Sequence, residues 1–271
     1  MKRIIKLIIS ICFQSVSWLW ALMRKLLGKK SNTTCVVLCY HGVKREMRGA
    51  FQRQMEDLLR LARPIAGGSK ESLAEGAHHV MLTFDDAFAS VAENAVPCLV
   101  EKQIPATIFI PSGYLGREPG WHSYHEGDYG SERVMTAEQL RAQPSGLITF
   151  GSHTITHPKL WLLDDSAASR ELCGSREELE TALGRPIRLF AFPYGVFNAR
   201  LLDLAQRAGY ERVFTSLPTF AYTVPDEYAT GRVEVAPDDW RLEFRLKLLG
   251  AYRWLPVAMA IKRRFKGSVT R

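Results

Sequence analysis

The sequence predicts an α/β fold in which strands and helices alternate around a parallel sheet. Two observations support this fold. Short apolar runs typical of buried strands alternate along the chain with segments of helical periodicity. The polar residues that are capable of chemistry follow directly after the strands, at the edge where parallel α/β proteins place their sites. A chain of 271 residues, 46% of them hydrophobic, is long enough to form one large domain.

The predicted elements follow one another in regular alternation. The strands are Cys35–Tyr40, Val80–Phe84, Ala106–Ile110, Leu147–Phe150, Leu189–Phe192 and Arg212–Thr215. The helices between them are Phe51–Leu61, Ala87–Lys102, one that begins at Thr136–Arg141, Asp165–Leu183 and Ala199–Ala208. The last two helices stop at Gly184 and Gly209, because glycine readily adopts the left-handed conformation that ends a helix.

The net charge of +8 is concentrated at the two ends of the chain. Residues 1–30 contain seven Lys/Arg and no acidic residue, and residues 241–271 contain nine Lys/Arg and one acidic residue, so the remainder carries −7. This distribution argues against nucleic acid as a partner and favours a membrane surface. We therefore divide the chain into an anchor helix at 1–30, a central domain at 31–239 and a basic amphipathic tail at 240–271.

The N-terminal segment has an apolar run from Leu7 to Met23 with basic residues on both sides. A cleaved signal peptide, a membrane-spanning helix and a helix lying in the plane of the interface are the alternatives. The in-plane helix is favoured, because its few non-apolar residues recur at helical spacing and form one narrow stripe. The residues of this stripe are Arg3, Lys6, Ser10, Gln14, Ser17, Ala21 and Arg24.

The C-terminal tail, Trp240–Lys266, is rich in apolar and basic residues and is interrupted by Pro256. It is either a terminal helix that covers the domain core or a second membrane contact. The five cysteines are scattered without a disulfide or zinc-ribbon spacing, which favours a reducing compartment. We expect a membrane-associated protein on the cytoplasmic face.

Two acidic residues and two histidines follow predicted strands in a pattern suited to a catalytic metal site. Asp85 and Asp86 come directly after one strand, and His153 and His157 follow another. Two imidazoles and one carboxylate bind zinc while leaving a coordination position open for water or substrate. The second carboxylate can then accept a proton from that water.

With these residues in place, the chain resembles the polysaccharide deacetylase family, also known as NodB-homology or carbohydrate esterase family 4 enzymes. Three motifs carry the resemblance, which runs from about Cys35 to Val235. They are Thr-Phe-Asp-Asp at 83–86, Gly-Ser-His-Thr-Ile-Thr-His-Pro at 151–158 and Phe-Ala-Phe-Pro-Tyr-Gly at 190–195. The resemblance implies a distorted (β/α)7 barrel that removes acetyl groups from N-acetylated sugars with a divalent metal, zinc above all, with cobalt, manganese or nickel as alternatives.

The resemblance also implies roles for individual residues. Asp85 would be the general base, and Asp86, His153 and His157 the metal ligands. The backbone amide of Tyr194 would help to hold the oxyanion of the transition state. The expected substrate contacts are Pro193, Tyr194, Trp121, His122 and His125.

Three departures from the family pattern concern catalysis. Ala87 stands where the first motif usually ends in glycine, and Ala191 stands where an arginine usually pairs with the base. Arg232 is the candidate replacement for that arginine. No histidine follows His157, so the histidine that usually acts as general acid is absent. We expect His41 to take that role, with His122 and His125 as alternatives.

The sequence thus predicts a metal-dependent N-deacetylase that acts on a lipid-linked saccharide or a nascent exopolysaccharide at a membrane. A catalytically silent glycan-binding module on the same barrel is one alternative, favoured by the missing histidine and by Ala191. Retention of both Asp85 and Asp86 opposes it, because binding alone does not need the base. An O-acetyl esterase is the other alternative.

Overall fold

The computed structural model describes residues 2–68, 73–121, 132–224 and 226–267. The strands are β1 (Thr34–Tyr40), β2 (Arg63–Ile65), β3 (His78–Phe84), β4 (Ala106–Ile110), β5 (Ile148–Ser152), β6 (Leu189–Ala191), β7 (Arg212–Thr215), β8 (Ala229–Gly231) and β9 (Val233–Glu234). The α-helices are α1 (Lys2–Leu26), α2 (Arg48–Leu61), α3 (Val96–Glu101), α4 (Ala137–Arg141), α5 (Asp165–Leu183), α6 (Ala199–Arg207), α7 (Arg241–Leu248) and α8 (Leu255–Gly267).

The strands form one parallel sheet in the order β8-β7-β6-β5-β4-β3-β1-β9, with β2 pairing with β3. The two ends of this order are adjacent in sequence, because only Arg232 separates β8 from β9. The sheet therefore curls into a nearly closed barrel surrounded by helices. The predicted α/β class and the distorted (β/α)7 barrel are confirmed.

The strands are apolar on both faces because both faces are covered. In β1, Val36 and Leu38 pack towards the helices, whereas Cys35 and Val37 belong to a second cluster that fills the barrel interior. Phe109 and Phe214, with ring centroids 5.1 Å apart, occupy the same interior. Strands buried on both faces give continuous apolar runs, which is why these segments stand out in the sequence.

One predicted helix begins later than expected. The segment predicted as Ala87–Lys102 contains a π-helical turn at Val91–Ala95 followed by α3. Ala87 has a φ of 50°, which is incompatible with a right-handed helix. Pro97 lies in the first turn of α3, where its missing N–H is tolerated.

The C-terminal tail is two helices. Phe244 and Leu248 of α7 are fully buried, so this part of the tail covers the core. Gly250, with a φ of 75°, follows the end of α7. Pro256 then lies in the first turn of α8 rather than interrupting a helix.

Helix α1 packs on the domain through its polar stripe. Ser10 and Gln14 are its buried residues, and the Trp254 Nε1–H donates a 3.0 Å hydrogen bond to Ser10 Oγ. Arg3 Nε lies 2.7 Å from Glu243 Oε2 on α7. The exposed apolar residues of α1 are Ile4, Ile5, Ile8, Ile9, Ile11, Val16, Trp18, Leu19, Trp20, Leu22, Met23 and Leu26. By length and composition alone, α1 is also sufficient to cross a membrane.

Candidate metal centre

The acidic pair lies immediately after β3, in a backbone conformation that few residues adopt. The Asp85 N–H donates a 2.8 Å hydrogen bond to the Tyr40 carbonyl at the end of β1, which continues the β1–β3 pairing by one residue. Asp86 then has a φ of 67° and Ala87 a φ of 50°. Non-glycine residues in this left-handed region cost about 1–3 kcal/mol each and cluster at functional sites. This turn places two neighbouring carboxylates at one end of the barrel.

The two histidines lie after β5, in a second strained turn. Thr154 and His157 have φ values of 69° and 56°, and Thr154 Oγ1 accepts a 3.0 Å hydrogen bond from the His157 N–H. His153 Nδ1 lies 2.8 Å from the Ala191 carbonyl oxygen, which can only accept a hydrogen bond, so Nδ1 carries the proton. His153 Nε2 is then unprotonated and available as a ligand.

The carboxylate of Asp86 and the two imidazoles converge. Asp86 Oδ1 lies 3.8 Å from His153 Nε2 and 3.6 Å from His157 Nε2. One ligand atom from each of the three residues lies within 4.8 Å of the others, and all three residues are buried. This donor set is the one that zinc uses in catalytic sites with two histidines and a carboxylate.

The buried groups fit a divalent cation. Asp86 Oδ1 has no hydrogen-bond partner among the residues that the structure describes, although it is fully buried. Burial and the neighbouring charge of Asp85 raise the pKa of Asp86 well above its usual value. Burial lowers the pKa of His153 to about 4 and the pKa of His157 well below its usual value, so both imidazoles are neutral ligands at neutral pH. A cation at this position would compensate both carboxylates.

Asp85 is held by a buried ion pair with Arg232. Arg232 Nη1 and Nη2 donate hydrogen bonds of 2.6 and 2.7 Å to the two carboxylate oxygens of Asp85. Burial alone would raise the pKa of Asp85, but the charge and the hydrogen bonds of Arg232 outweigh this effect and lower that pKa below its usual range. The Cys39 thiol donates a weak hydrogen bond of 3.4 Å to Asp85 Oδ2. Asp85 is therefore ionised and fixed in orientation.

A cavity of about 380 Å³ opens over these groups. Of the other residues predicted for the site, His41, Trp121 and Tyr194 line this cavity. Pro193 is buried and is not among the lining residues. His122 and His125 lie outside the described residues.

Aromatic rings surround the metal ligands. The Trp121 ring stacks on His157 with centroids 4.3 Å apart, and the Tyr194 ring contacts the same imidazole edge-on at 4.8 Å. Trp161 contacts Tyr194 in turn, at 5.8 Å. Tyr194 has a φ of 59°, so it occupies a third strained turn, after β6.

The sequence analysis did not identify several lining residues, which are Cys39, Lys159, Trp161, Gly195, Ser216 and Glu234. One of them carries a usable signal. Cys39 is two residues before His41, and the alternation of a strand places such residues on the same side. Lys159 and Trp161 follow the second motif closely, but nothing in their spacing distinguishes them from loop residues.

Comparison with known proteins agrees with this geometry. The family profile described as polysaccharide deacetylase matches residues 73–213, which is more than half of the chain. The chain belongs to the polysaccharide deacetylase family. The match includes the acidic pair and both histidines.

The curated relatives are distant in sequence. YxkH of Bacillus subtilis, whose name places it among polysaccharide deacetylases, is 28% identical over 158 residues, which is 58% of this chain and 52% of YxkH. A Staphylococcus aureus protein named poly-β-1,6-N-acetyl-D-glucosamine N-deacetylase is 26% identical over 167 residues, 59% of this chain and 55% of the relative. The chain thus spans about half the length of the curated relatives that it matches.

A solved structure extends the similarity to most of the barrel. IcaB from Ammonifex degensii superposes with a TM-score of 0.67 and 26% sequence identity. The superposition covers 80% of this chain and 100% of IcaB. Its coverage of this chain exceeds that of either curated relative.

Proposed function

We propose that this protein is a metal-dependent hydrolase that removes N-acetyl groups from a sugar polymer. The observation that carries the proposal is the convergence of Asp86, His153 and His157 beside an ionised Asp85. The ligand atoms of the first three lie within 4.8 Å of one another. A divalent cation held there, zinc first among the candidates, supplies Lewis-acid polarisation of the acetyl carbonyl and lowers the pKa of the attacking water.

Asp85 is the proposed general base. Its carboxylate oxygen Oδ2 lies 4.0 Å from His153 Nε2, which places it beside the ligand cluster but leaves it outside the donor set. Arg232 holds both of its oxygens, so the base keeps one orientation while it accepts the proton of the attacking water. Arg232 is thus proposed as a positioning residue that replaces the arginine missing at Ala191.

His41 is the proposed general acid that protonates the departing amine. It follows β1 directly and lines the same cavity as Asp85. The backbone N–H of Tyr194 is proposed to donate a hydrogen bond to the oxyanion that forms at the acetyl carbon. A preorganised donor of this kind contributes about 3–4 kcal/mol to transition-state stabilisation.

The cavity favours a hexose as the bound unit. Trp121, Trp161 and Tyr194 present aromatic rings around the ligand cluster, and such rings pack against the apolar faces of pyranoses. The Staphylococcus aureus relative is named for poly-β-1,6-N-acetyl-D-glucosamine. We therefore propose a polymer or lipid-linked saccharide that contains N-acetylglucosamine as the substrate.

The orientation of α1 supports membrane association. Its polar stripe packs on the domain, and its apolar side faces outward. An amphipathic helix that lies in the bilayer interface buries its apolar face among lipid acyl chains. The proposed anchor therefore holds the barrel directly against the bilayer, where a membrane-associated glycan is made. The cytoplasmic face and the division of the chain at residues 30 and 239 remain predictions.

Acetate release tests the proposal. Purified protein loaded with zinc or cobalt is incubated with β-1,6-linked N-acetylglucosamine oligosaccharides and with an O-acetylated control sugar. We expect acetate from the N-acetylated substrate and none from Asp85→Asn, which keeps the ligand set. Metal binding without turnover on any substrate would indicate the silent binding module, and release from the O-acetylated sugar alone would indicate the esterase.

A further inference from the structure

A second cavity, of about 430 Å³, lies between α1 and the barrel. Its walls come from three parts of the chain. The polar stripe of α1 contributes Gln14 and Arg24, the segment after α1 contributes Lys29, and the barrel side contributes His78 and Arg253. None of these residues belongs to the metal centre or to its cavity.

The cavity is strongly basic, and three of the four Lys/Arg side chains that line it have no acidic partner among the described residues. Among the described residues, no carboxylate lies within ion-pair distance of Arg24, Lys29 or Arg253. Lys30 also lines the cavity, but it is paired with Glu75 at 2.9 Å. Three cations line this cavity without an acidic neighbour among the described residues, so an anion that binds there gains favourable electrostatic interactions.

Arg253 is held in place by contacts with two neighbouring residues. Its guanidinium lies 3.6 Å from the centroid of the Phe220 ring, and its Nε–H donates a 2.9 Å hydrogen bond to the Gly250 carbonyl. Burial lowers the pKa of Arg253 because it desolvates the charged guanidinium, and no acidic neighbour among the described residues raises that pKa again. A planar guanidinium held in this way suits a phosphate group, which it can contact through two donors.

A buried acceptor also lacks a partner in this cavity. Gln14 is only 6% exposed, and its Oε1 has no hydrogen-bond partner in the part of the chain that the structure describes. An unpaired buried carbonyl oxygen costs about 1–3 kcal/mol. A ligand that carries a hydroxyl donor beside its anionic group would satisfy it.

On the barrel side of the cavity, His78 is held through both of its ring nitrogens. His78 is the first residue of β3. Its Nε2 contacts the Leu248 carbonyl at 2.9 Å, and Thr34 Oγ1 lies 2.8 Å from its Nδ1. Both ring nitrogens are thus engaged, and the histidine fixes the shape of the cavity rather than its charge.

The position of the cavity points to the source of the anion. Trp18 and Trp20 of α1 line it and are each 60% exposed. Tryptophan side chains concentrate at the head-group level of a bilayer. In the membrane orientation proposed above, the cavity therefore opens at the depth where lipid phosphates lie.

We propose that this cavity is a binding site for the head group of an anionic phospholipid, with the phosphate held by Arg24, Lys29 and Arg253 and a head-group hydroxyl donating to Gln14. Phosphatidylglycerol has both chemical groups. Such a site adds lipid selectivity to the non-specific insertion of the apolar side of α1. The inference rests on the proposed membrane placement but is independent of the deacetylase reaction.

Monomeric short-chain lipids test the site without a bilayer. Calorimetric titration of the full-length protein uses dihexanoyl phosphatidylglycerol below its micelle concentration, dihexanoyl phosphatidylcholine, and inorganic phosphate. We expect saturable binding of the phosphatidylglycerol and at least about tenfold weaker binding of the other two. Phosphatidylcholine brings a fixed positive charge close to the three cations and has no head-group hydroxyl for Gln14, and inorganic phosphate has neither that hydroxyl nor acyl chains. Equal affinity for inorganic phosphate or for phosphatidylcholine would overturn the assignment, and so would the absence of saturable binding.

Neighbouring cations on the same helix provide a matched control. Arg24→Gln and Lys25→Gln remove the same charge from adjacent positions, but only Arg24 lines the cavity. We expect Arg24→Gln to weaken phosphatidylglycerol binding about tenfold and Lys25→Gln to change it by less than about twofold. Gln14→Leu is expected to weaken binding roughly two- to tenfold. Equal losses in the two charge variants would show general electrostatic attraction and overturn the site, and thermal unfolding verifies that each variant is folded.

Discussion

Replacing Arg232 with methionine leaves the Asp85 carboxylate buried without its cation. The side chains of Arg232 and Asp85 are only 3% and 7% exposed, and two hydrogen bonds of 2.6 and 2.7 Å join them. Removing one partner of such a pair costs about 3–5 kcal/mol, because the remaining charge is desolvated and uncompensated. We expect Arg232→Met to lower the free energy of unfolding of the metal-free protein by this amount at pH 7.

The double variant and the substitution of a largely exposed arginine are the controls. Asp85→Asn in the Arg232→Met background removes the buried charge and should restore most of the lost stability, so the two substitutions are strongly non-additive. Arg241→Met removes a guanidinium that also pairs with an aspartate, but Arg241 is 59% exposed and Asp57 keeps Arg245 as a partner. The expected cost of Arg241→Met is below about 1 kcal/mol.

The loss of stability caused by Arg232→Met is expected to depend on pH with a defined sign. In the wild-type protein the pKa of Asp85 is lowered, so the pair contributes stability above the unfolded pKa of 3.8 that is lost as the pH falls through the folded pKa. Without Arg232, burial raises that pKa, and protonation relieves the unpaired charge as the pH falls. The cost of Arg232→Met should therefore be smaller at pH 5 than at pH 8. If Asp85 is the base, the acidic limb of kcat/KM also moves to higher pH.

Chemical denaturation of five proteins at both pH values measures these quantities: the wild type, Arg232→Met, Asp85→Asn, the double variant and Arg241→Met. An Arg232→Met cost near that of Arg241→Met would refute the assignment of a desolvated ion pair. Additive losses in the double variant would refute the coupling between Arg232 and Asp85. A cost that grows as the pH falls would refute the sign of the pKa argument.

Three further predictions concern the metal, the acid and the anchor. Zinc at about 100 times its Kd should stabilise the metal-free protein by about 2.7 kcal/mol in thermal unfolding, and an equal rise in His157→Ala would contradict the ligand set. His41→Asn should lower kcat by about 10²–10⁴ and remove the basic limb of the pH profile while calorimetric zinc affinity is kept; an intact basic limb would exclude it as the acid. Ile8→Glu should weaken cosedimentation with phosphatidylglycerol vesicles far more than Val100→Glu, which alters an exposed apolar residue of α3. Equal effects of these two substitutions would remove the argument that α1 is the anchor.

Much of the barrel could be predicted because its strands are buried on both faces. The bounds of β4, β7 and α5 agree with the predicted Ala106–Ile110, Arg212–Thr215 and Asp165–Leu183. The convergence of Asp86, His153 and His157 could be anticipated because these residues follow β3 and β5, which are parallel strands of one sheet. In these cases the local pattern and the tertiary environment favour the same structure.

The closure of the barrel was less accessible to sequence reasoning. Strands β8 and β9 are three and two residues long, too short to show any periodicity. The pairing of Arg232 with Asp85 joins residues 147 positions apart and depends on that closure. The polar stripe of α1 was visible in the sequence, but only packing shows that the stripe faces the domain.

Acetate release during a zinc titration of the metal-free protein tests the central claim most directly. The proposed mechanism predicts no release in chelator and a linear rise to a maximum at one equivalent of zinc per chain. Asp86→Asn should show no such rise at the same zinc concentrations. Full acetate release from the chelated wild-type protein, or from Asp86→Asn, would contradict a hydrolase that depends on this metal centre.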